Sequence, residues 1–338
     1  MTTHLDTHIS LAHGNGGRLM RELIEQIFAK HLHNDLLATD CDAATLPLLP
    51  EAGTWVMTTD GFTVEPLEFP GGDIGSLAVH GTVNDLAVSG AKPMYLTLNA
   101  FIEEGFPLLV LERLLVSMAR ACKDCGVKIV AGDTKVLRRG QGGGVYFATT
   151  GLGVRDPHLQ LGWAHIKDGD AVLLSGTAGD HGTAVLLARE QFGLSGSLLS
   201  DAASVLPICQ ALQTLPGLRF MRDPTRGGVA TIAHEIAVAC QLSVRLYAAQ
   251  IPVHEQVQAV AAMLGYDPLY MACEGRVLAV IEPTQAEFAV QRLHALGYAD
   301  AAIIGRVESG YGHAFLQTEL GGERILQALE DEPLPRIC

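Results

Sequence analysis

The residues best able to do chemistry in this chain are the cysteine that ends it and a set of acids placed where elements begin or stop. Cys338 closes the stretch Asp331-Glu332-Pro333-Leu334-Pro335-Arg336-Ile337-Cys338. Prolines in alternate positions fix φ and remove two amide donors, so this stretch stays extended instead of folding back as a helix. At about 3.1 Å per residue it reaches on the order of 25 Å, enough to carry a thiol from solvent into a cleft. The plainer reading is a frayed terminus whose last residue happens to be cysteine. Prenylation is excluded, because its signal places the cysteine fourth from the end.

The acids offer metal and phosphate chemistry. Asp42 lies in the turn-rich run Thr39-Asp40-Cys41-Asp42-Ala43-Ala44, and Asp60 follows the strand-like Trp55-Val56-Met57-Thr58-Thr59. Asp73 reads as the N-cap of a helix from Ile74 to about Ser89, on which Ala78, Thr82, Asp85 and Ser89 share a narrow arc. That small, polar stripe reads as a cavity wall, flanked by Asn84. Asp133 stands in Gly132-Asp133-Thr134-Lys135, after the strand Val127–Ala131. Each acid has a plain structural alternative as a turn or cap residue. If Asp60, Asp85 and Asp133 converge, their mutual repulsion calls for hard cations, and Mg²⁺ with a polyphosphate is the natural occupant.

Other motifs point the same way, each with a bland counterpart. In His13-Gly14-Asn15-Gly16-Gly17, glycines before a helix leave amides free to curl around an anion, although a flexible loop has the same composition. In Asp223-Pro224-Thr225-Arg226-Gly227-Gly228, Asp223 and Pro224 suit an N-cap and the first helical position, while Arg226 and the glycines suit phosphate. Glu274 opens a strand over Arg276–Ile281 and could be an ordinary edge carboxylate. Neither a Walker A lysine pattern nor a G-x-G-x-x-G after a strand occurs.

The elements that must hold these residues alternate strands and helices in an α/β (α+β) pattern on both sides of a boundary near Arg155-Asp156-Pro157. The 338 residues divide into a 1–156 domain, a 157–325 domain and a 326–338 tail. An apolar fraction of 48% with 18% charged residues describes a well-packed globular protein. The N-terminus lacks the cationic start and apolar run of a signal peptide, and no stretch is apolar enough to cross a membrane, so the expected location is the cytoplasm. A net charge of −14 argues against a nucleic-acid surface. Seven scattered cysteines read as reduced thiols, with Cys122 and Cys125 as small buried helix residues or, less simply, a lone zinc or redox pair.

With these motifs laid out, the chain resembles the hydrogenase maturation proteins of the carbamoyl-dehydratase type, within the aminoimidazole ribonucleotide synthetase-like superfamily. The resemblance covers nearly the whole chain. It rests on the motifs above together with Asp60-Gly61-Phe62, Phe69-Pro70-Gly71-Gly72-Asp73-Ile74-Gly75, Asn84-Asp85-Leu86-Ala87, Cys273-Glu274-Gly275 and the ending Pro335-Arg336-Ile337-Cys338. The ending is the most specific; the rest would also fit relatives that make selenophosphate, close the purine imidazole ring or phosphorylate thiamine phosphate. Asp40-Cys41-Asp42 departs from the two adjacent acids expected there.

The resemblance implies an N-terminal, ATP-binding domain whose strands pair across a homodimer into a β-barrel, and a C-terminal domain beside it. It implies Mg²⁺ held by Asp42, Asp60, Asp85 and Asp223. Nucleotide contacts would come from His13, Gly14, Asn15, Gly16 and Gly17 over the phosphates, with Asp60, Asn84, Asp133, Thr134 and Arg226. Cys338 would carry an S-carboxamide loaded by a partner carbamoyltransferase, and ATP would drive its dehydration to a thiocyanate, with Glu274 and Lys135 handling protons. The cyanide would pass to iron on a scaffold of other maturation proteins. Two alternatives stand beside this: another ATP-dependent synthase or kinase of the superfamily, and a non-catalytic adaptor docking through its terminal thiol.

Overall fold

The computed structural model describes residues 7–14, 18–37, 53–189, 196–329 and 337–338. In the first unit, β1 (Thr54–Phe62), β2 (Ala91–Glu103), β3 (Lys128–Leu137) and β4 (Val145–Arg155) form a sheet of order β1-β4-β2-β3. The β2–β3 pair is parallel and the other pairs are antiparallel. Helices α1 (Ile74–Val88) and α2 (Leu108–Cys125) belong to the same unit.

Local chemistry explains where these helices start and stop. Asp73, in extended backbone, accepts the N–H groups of Gly75 and Ser76, while Ser76 Oγ receives the N–H of Asp73, a reciprocal cap. On α2, Leu111, Leu114, Leu115 and Met118 are buried, and the helix stops at Gly126 with a φ of 68°. Cys122 and Cys125 also lie buried there, and burial pushes the Cys122 thiol up to about 12, so they pack as small apolar side chains.

At Ala78 and Thr82 the small-residue stripe on α1 is not the cavity wall its pattern predicts. Thr82 Oγ1 hydrogen-bonds Thr149 Oγ1 on β4, and the Thr149 hydroxyl also donates to the carbonyl of Ala78 at 3.3 Å. The stripe is therefore a packing seam, where small side chains let the helix lie close against the sheet. The opposite face of the sheet has no helix over it among the described residues, and there Trp55, Met57 and Phe101 are 51%, 72% and 37% exposed.

The second unit is a seven-stranded sheet of β5 (Ala171–Leu174), β6 (Leu218–Arg222), β7 (Ser243–Tyr247), β8 (Leu278–Ile281), β9 (Ala302–Glu308), β10 (Ala314–Gln317) and β11 (Glu323–Leu326), in the order β11-β10-β7-β9-β5-β8-β6. Within it β7 and β10 pair in parallel and the other pairs are antiparallel. The strand expected over Arg276–Ile281 thus begins at Leu278. Alternate residues feed two cores: Val172, Leu174, Leu278 and Val280 face one, Ala171, Leu173, Ala279 and Ile281 the other. Helices α3 (Asp180–Ala188), α4 (Leu206–Gln213), α5 (Gly228–Cys240), α6 (Glu255–Leu264) and α7 (Pro283–Ala295) complete the unit.

The units share a core. Val185, Leu186, Val257, Met271 and Ala272 of the second unit join the cluster built by α1, α2 and the first sheet, and so does Ile337 from the end of the chain. None of the described helices is long and apolar enough to cross a membrane.

Candidate functional site

Four carboxylates from both units gather where α1, β1 and the second unit meet. Thr58 donates to Asp85 Oδ2 at 2.8 Å, and Asp60 Oδ1 receives the Gly61 N–H at 2.7 Å. Burial raises the Asp60 carboxyl above its ordinary range, opposed by the Gly61 N–H and the charge of Arg226. Burial raises Asp85 as well, and the charge of Asp60 adds to it. Asp223, just ahead of α5, is pushed up to about 7 by burial and then by Asp85. Glu274 is raised well above its ordinary range, by burial and then by Asp223, Asp201, Asp60 and Asp85.

Glu274 is held by its backbone rather than by its carboxyl. The Asp201 carboxylate accepts the N–H groups of Glu274 and Gly275 at 3.2 and 3.1 Å, and Asn84 donates to the Glu274 carbonyl at 3.0 Å. A Cβ on Gly275 would stand 1.9 Å from the Asp201 carbonyl, so this approach admits glycine alone. The residue is 2% exposed, and its Oε1 has no hydrogen-bond partner among the described residues. A buried carboxyl oxygen without a partner, on a group raised by burial, is a feature that packing alone does not account for.

Asn84, expected at nucleotide, spends its amide on the chain. Besides Glu274 it donates to the Ala203 carbonyl, and its oxygen accepts the Val205 N–H, which ties α1 to the segment ahead of α4. It is a bracket between the two units.

Within one chain Asp133 does not take part in the convergence of Asp60 and Asp85 that the sequence allows. Asp60 shares a row of the sheet with Thr149, Leu98 and Gly132, whereas Asp133 lies in the neighbouring row with Gly61, Ala148 and Asn99. Successive strand residues point to opposite faces, so Asp60 belongs to the helix-covered face and Asp133 and Lys135 to the open one. The side chain of Thr134, between them, belongs to the covered face and is buried. Lys135 Nζ lies 2.8 Å from Asp133 Oδ2 and holds that carboxyl below its usual range. Within one chain Lys135 and Glu274 are thus on opposite sides of the sheet.

The glycine-rich motif starts beside that edge strand. His13 is buried, its Nδ1 accepting the Ser10 N–H at 3.1 Å, and a Cβ on Gly14 would stand 2.7 Å from Val136 Cβ. Asn15, Gly16, Gly17 and Asp42 lie outside the described residues. Among the described residues no three His, Cys, Asp or Glu side chains form a ready-made metal cage.

The chain's end is seated near these acids. Thr63, three residues past Asp60, gives both its N–H and its hydroxyl to the Cys338 carbonyl, at 3.0 and 3.2 Å. His181 donates from Nε2 to the Ile337 carbonyl at 2.7 Å, and Ile337 is 2% exposed. Nine residues before the end, Leu329 lies against Gly227 of the phosphate-suited loop. Sequence reasoning missed Thr63, His181 and Asp201. The run Gly179-Asp180-His181-Gly182 reads as a loop, although α3 starts at Asp180, and Asp201 carries no motif at all.

Comparison with known proteins agrees with this geometry. The AIR synthase related protein N-terminal domain matches residues 40–155, and the corresponding C-terminal domain matches residues 167–316. Carbamoyl dehydratase HypE of Azotobacter vinelandii is 45% identical over 335 residues, which cover 98% of this chain and 97% of that protein. A crystal structure of hydrogenase maturation protein HypE in complex with ATP is similar with a TM-score of 0.91 at 41% identity, covering 97% of this chain and 99% of that one. A HypE–HypF complex gives 0.78 at 42% identity, covering 92% of this chain and 99% of that one. By its two sheets and by identity along nearly its whole length, the chain belongs to the HypE carbamoyl dehydratase family, a branch of the AIR synthase related proteins.

Proposed function

We propose that this protein is an ATP-dependent carbamoyl dehydratase of hydrogenase maturation whose substrate is an S-carboxamide on its own Cys338. The observation that carries this reading is the seat of the last residue on Thr63, three residues past Asp60 in the same stretch of chain. The solved relative with ATP supports the nucleotide, and the HypE–HypF complex supports a loading partner, read here as a carbamoyltransferase. Cyanide would then be handed to iron on a scaffold of maturation proteins, in the cytoplasm.

The donor set fits magnesium. Asp60, Asp85 and Asp223 offer hard oxygens: burial raises each of them, neighbouring acids raise Asp85 and Asp223 further, and a divalent ion would relieve that repulsion. Together with Asp42 they would hold it, and when bound it would neutralise charge on the transferred phosphoryl group. The reaction balances as a loss of water. The carboxamide oxygen takes the γ-phosphoryl group of ATP, the nitrogen gives up both protons, and phosphate and ADP leave behind S–C≡N. Glu274, neutral and without a partner for Oε1, is the group placed to pass a proton to or from that nitrogen. Arg226, whose charge Asp60 feels, is available to phosphate oxygens.

Asp133, Thr134, Lys135 and the His13 to Gly17 motif complete the site, in this reading, from a second copy. The uncovered sheet face with Trp55 and Met57 is the surface on which two sheets would close into a barrel. Such a homodimer brings one copy's edge strand towards the other's acids.

Intact-mass analysis tests the chemistry directly. After incubation with the loading enzyme, carbamoyl phosphate and ATP, the chain should gain a carbamoyl group on Cys338 and then lose water. Cys338→Ala should gain nothing while still binding ATP. Glu274→Gln should stop at the carbamoylated mass, with dehydration slowed at least about a hundredfold. Water loss at the normal rate in that variant would remove Glu274 from the proton step, and water loss without ATP would end the proposal.

A further inference from the structure

His181 is a buried group that the proposed chemistry does not use, and every polar atom of its ring is committed. It sits in the first turn of α3, and its ring meets that of Phe69 edge-on at 5.3 Å between centroids. Nε2 lies 2.7 Å from the carbonyl of Ile337, which can only accept, so this nitrogen carries the hydrogen. Nδ1 lies 2.8 Å from Ser200 Oγ and accepts from that hydroxyl. Burial lowers the imidazole below its ordinary value, in keeping with a neutral ring that has one N–H to give.

The other end of this contact leads to Glu274. Ser200 begins a short segment whose next residue, Asp201, holds the backbone of Glu274 and Gly275, while Ala203 and Val205 bind Asn84. Ser200 itself gives its N–H to the Pro70 carbonyl at 2.8 Å, ahead of the Asp73 cap. One six-residue strip thus touches the ring that seats the tail, the clamp on the buried acid and the bracket between units.

We propose that His181 is a positioning residue: by its Nε2–H it seats the final two residues of the tail, and through Ser200 it fixes that seat relative to Glu274. The seat itself stands on the contacts above; its effect on dehydration rests on the tail-borne reaction proposed in the preceding subsection.

Digestion of the full chain with a carboxypeptidase, followed by intact mass, reads the seat without any reaction taking place. Only an undocked end enters the protease, so the rate of losing Cys338 reports the undocked population. His181→Phe keeps an aromatic ring without the N–H, and should be trimmed about tenfold faster than the parent. His181→Gln, which can still donate an N–H, should stay within about twofold of the parent. Should His181→Phe fail to fold, Ser200→Ala, which removes the Nδ1 partner, should raise trimming several-fold. On the loaded tail, His181→Phe should slow water loss in a single turnover while leaving the ATP concentration for half-maximal rate unchanged. Trimming at the parental rate in both His181→Phe and Ser200→Ala would overturn the seat. Equal acceleration in His181→Phe and His181→Gln would overturn the role of the Nε2–H. A normal seat effect with unchanged water loss would instead count against the link to Glu274.

Discussion

At the scale of single residues, the pattern is of acids whose carboxyls burial raises above their ordinary range. Glu274 is raised by burial first and by four other acids after it, so its folded carboxyl stays protonated where the unfolded one, at 4.5, has ionised. The unfolded chain therefore binds fewer protons above that value, and stability falls as pH rises through it towards neutrality. Glu274→Gln is uncharged in both states and should lose less stability between pH 5 and pH 8 than the parent, as measured by urea unfolding. An identical pH slope in the two proteins would mean that Glu274 ionises in the folded state. Asp60, Asp223 and Glu274 stand out in the sequence because each lies beside a glycine, a cap or a strand end, and Asp85 because it falls on the small-residue stripe of α1. His181 and Asp201 do not, because they bind backbone groups of residues 156 and 73 positions away, and backbone leaves no mark on composition.

At the scale of elements, caps were easier to read than faces. Asp73 and the helix from Ile74 follow from local chemistry, and Asp73→Ala should cost about 1–2 kcal/mol in urea unfolding through loss of two accepted N–H bonds. A change below a few tenths would show the cap to be replaceable by solvent. The α1 stripe was misread because small polar residues serve a cavity and a close helix–sheet seam equally well; only the Thr82–Thr149 contact decides between them. Asp133 falls on the face away from Asp60 for a related reason. A strand end gives an acid's place along the chain, while its face depends on register, which pairing with β2 sets.

At the scale of the whole molecule, the two sheets and their order of appearance were visible in the alternation of strands and helices. The antiparallel pairing of most strands was not, since a helix between two strands does not fix which neighbours they choose. Nor could β1 announce its open face: Trp55 and Met57 are as apolar as the Val56 and Phe62 that turn inward. If that face closes against a second copy, Met57→Glu should shift sedimentation from dimer towards monomer while leaving the helical circular dichroism unchanged. A parent protein that sediments as a monomer would dispose of the barrel.

Ile337 has a further consequence for how the molecule rests. Hiding one isoleucine side chain is worth roughly 2 kcal/mol, or about thirtyfold in population. Left alone, the protein therefore keeps the end of its tail seated nearly all the time, with Ile337 buried and Cys338 half-buried. A loading partner that captures only the released form sees a correspondingly weaker apparent affinity, which rises when Ile337 is shortened to alanine. A titration showing equal affinity for the two chains would mean that the partner takes the end while it is still docked.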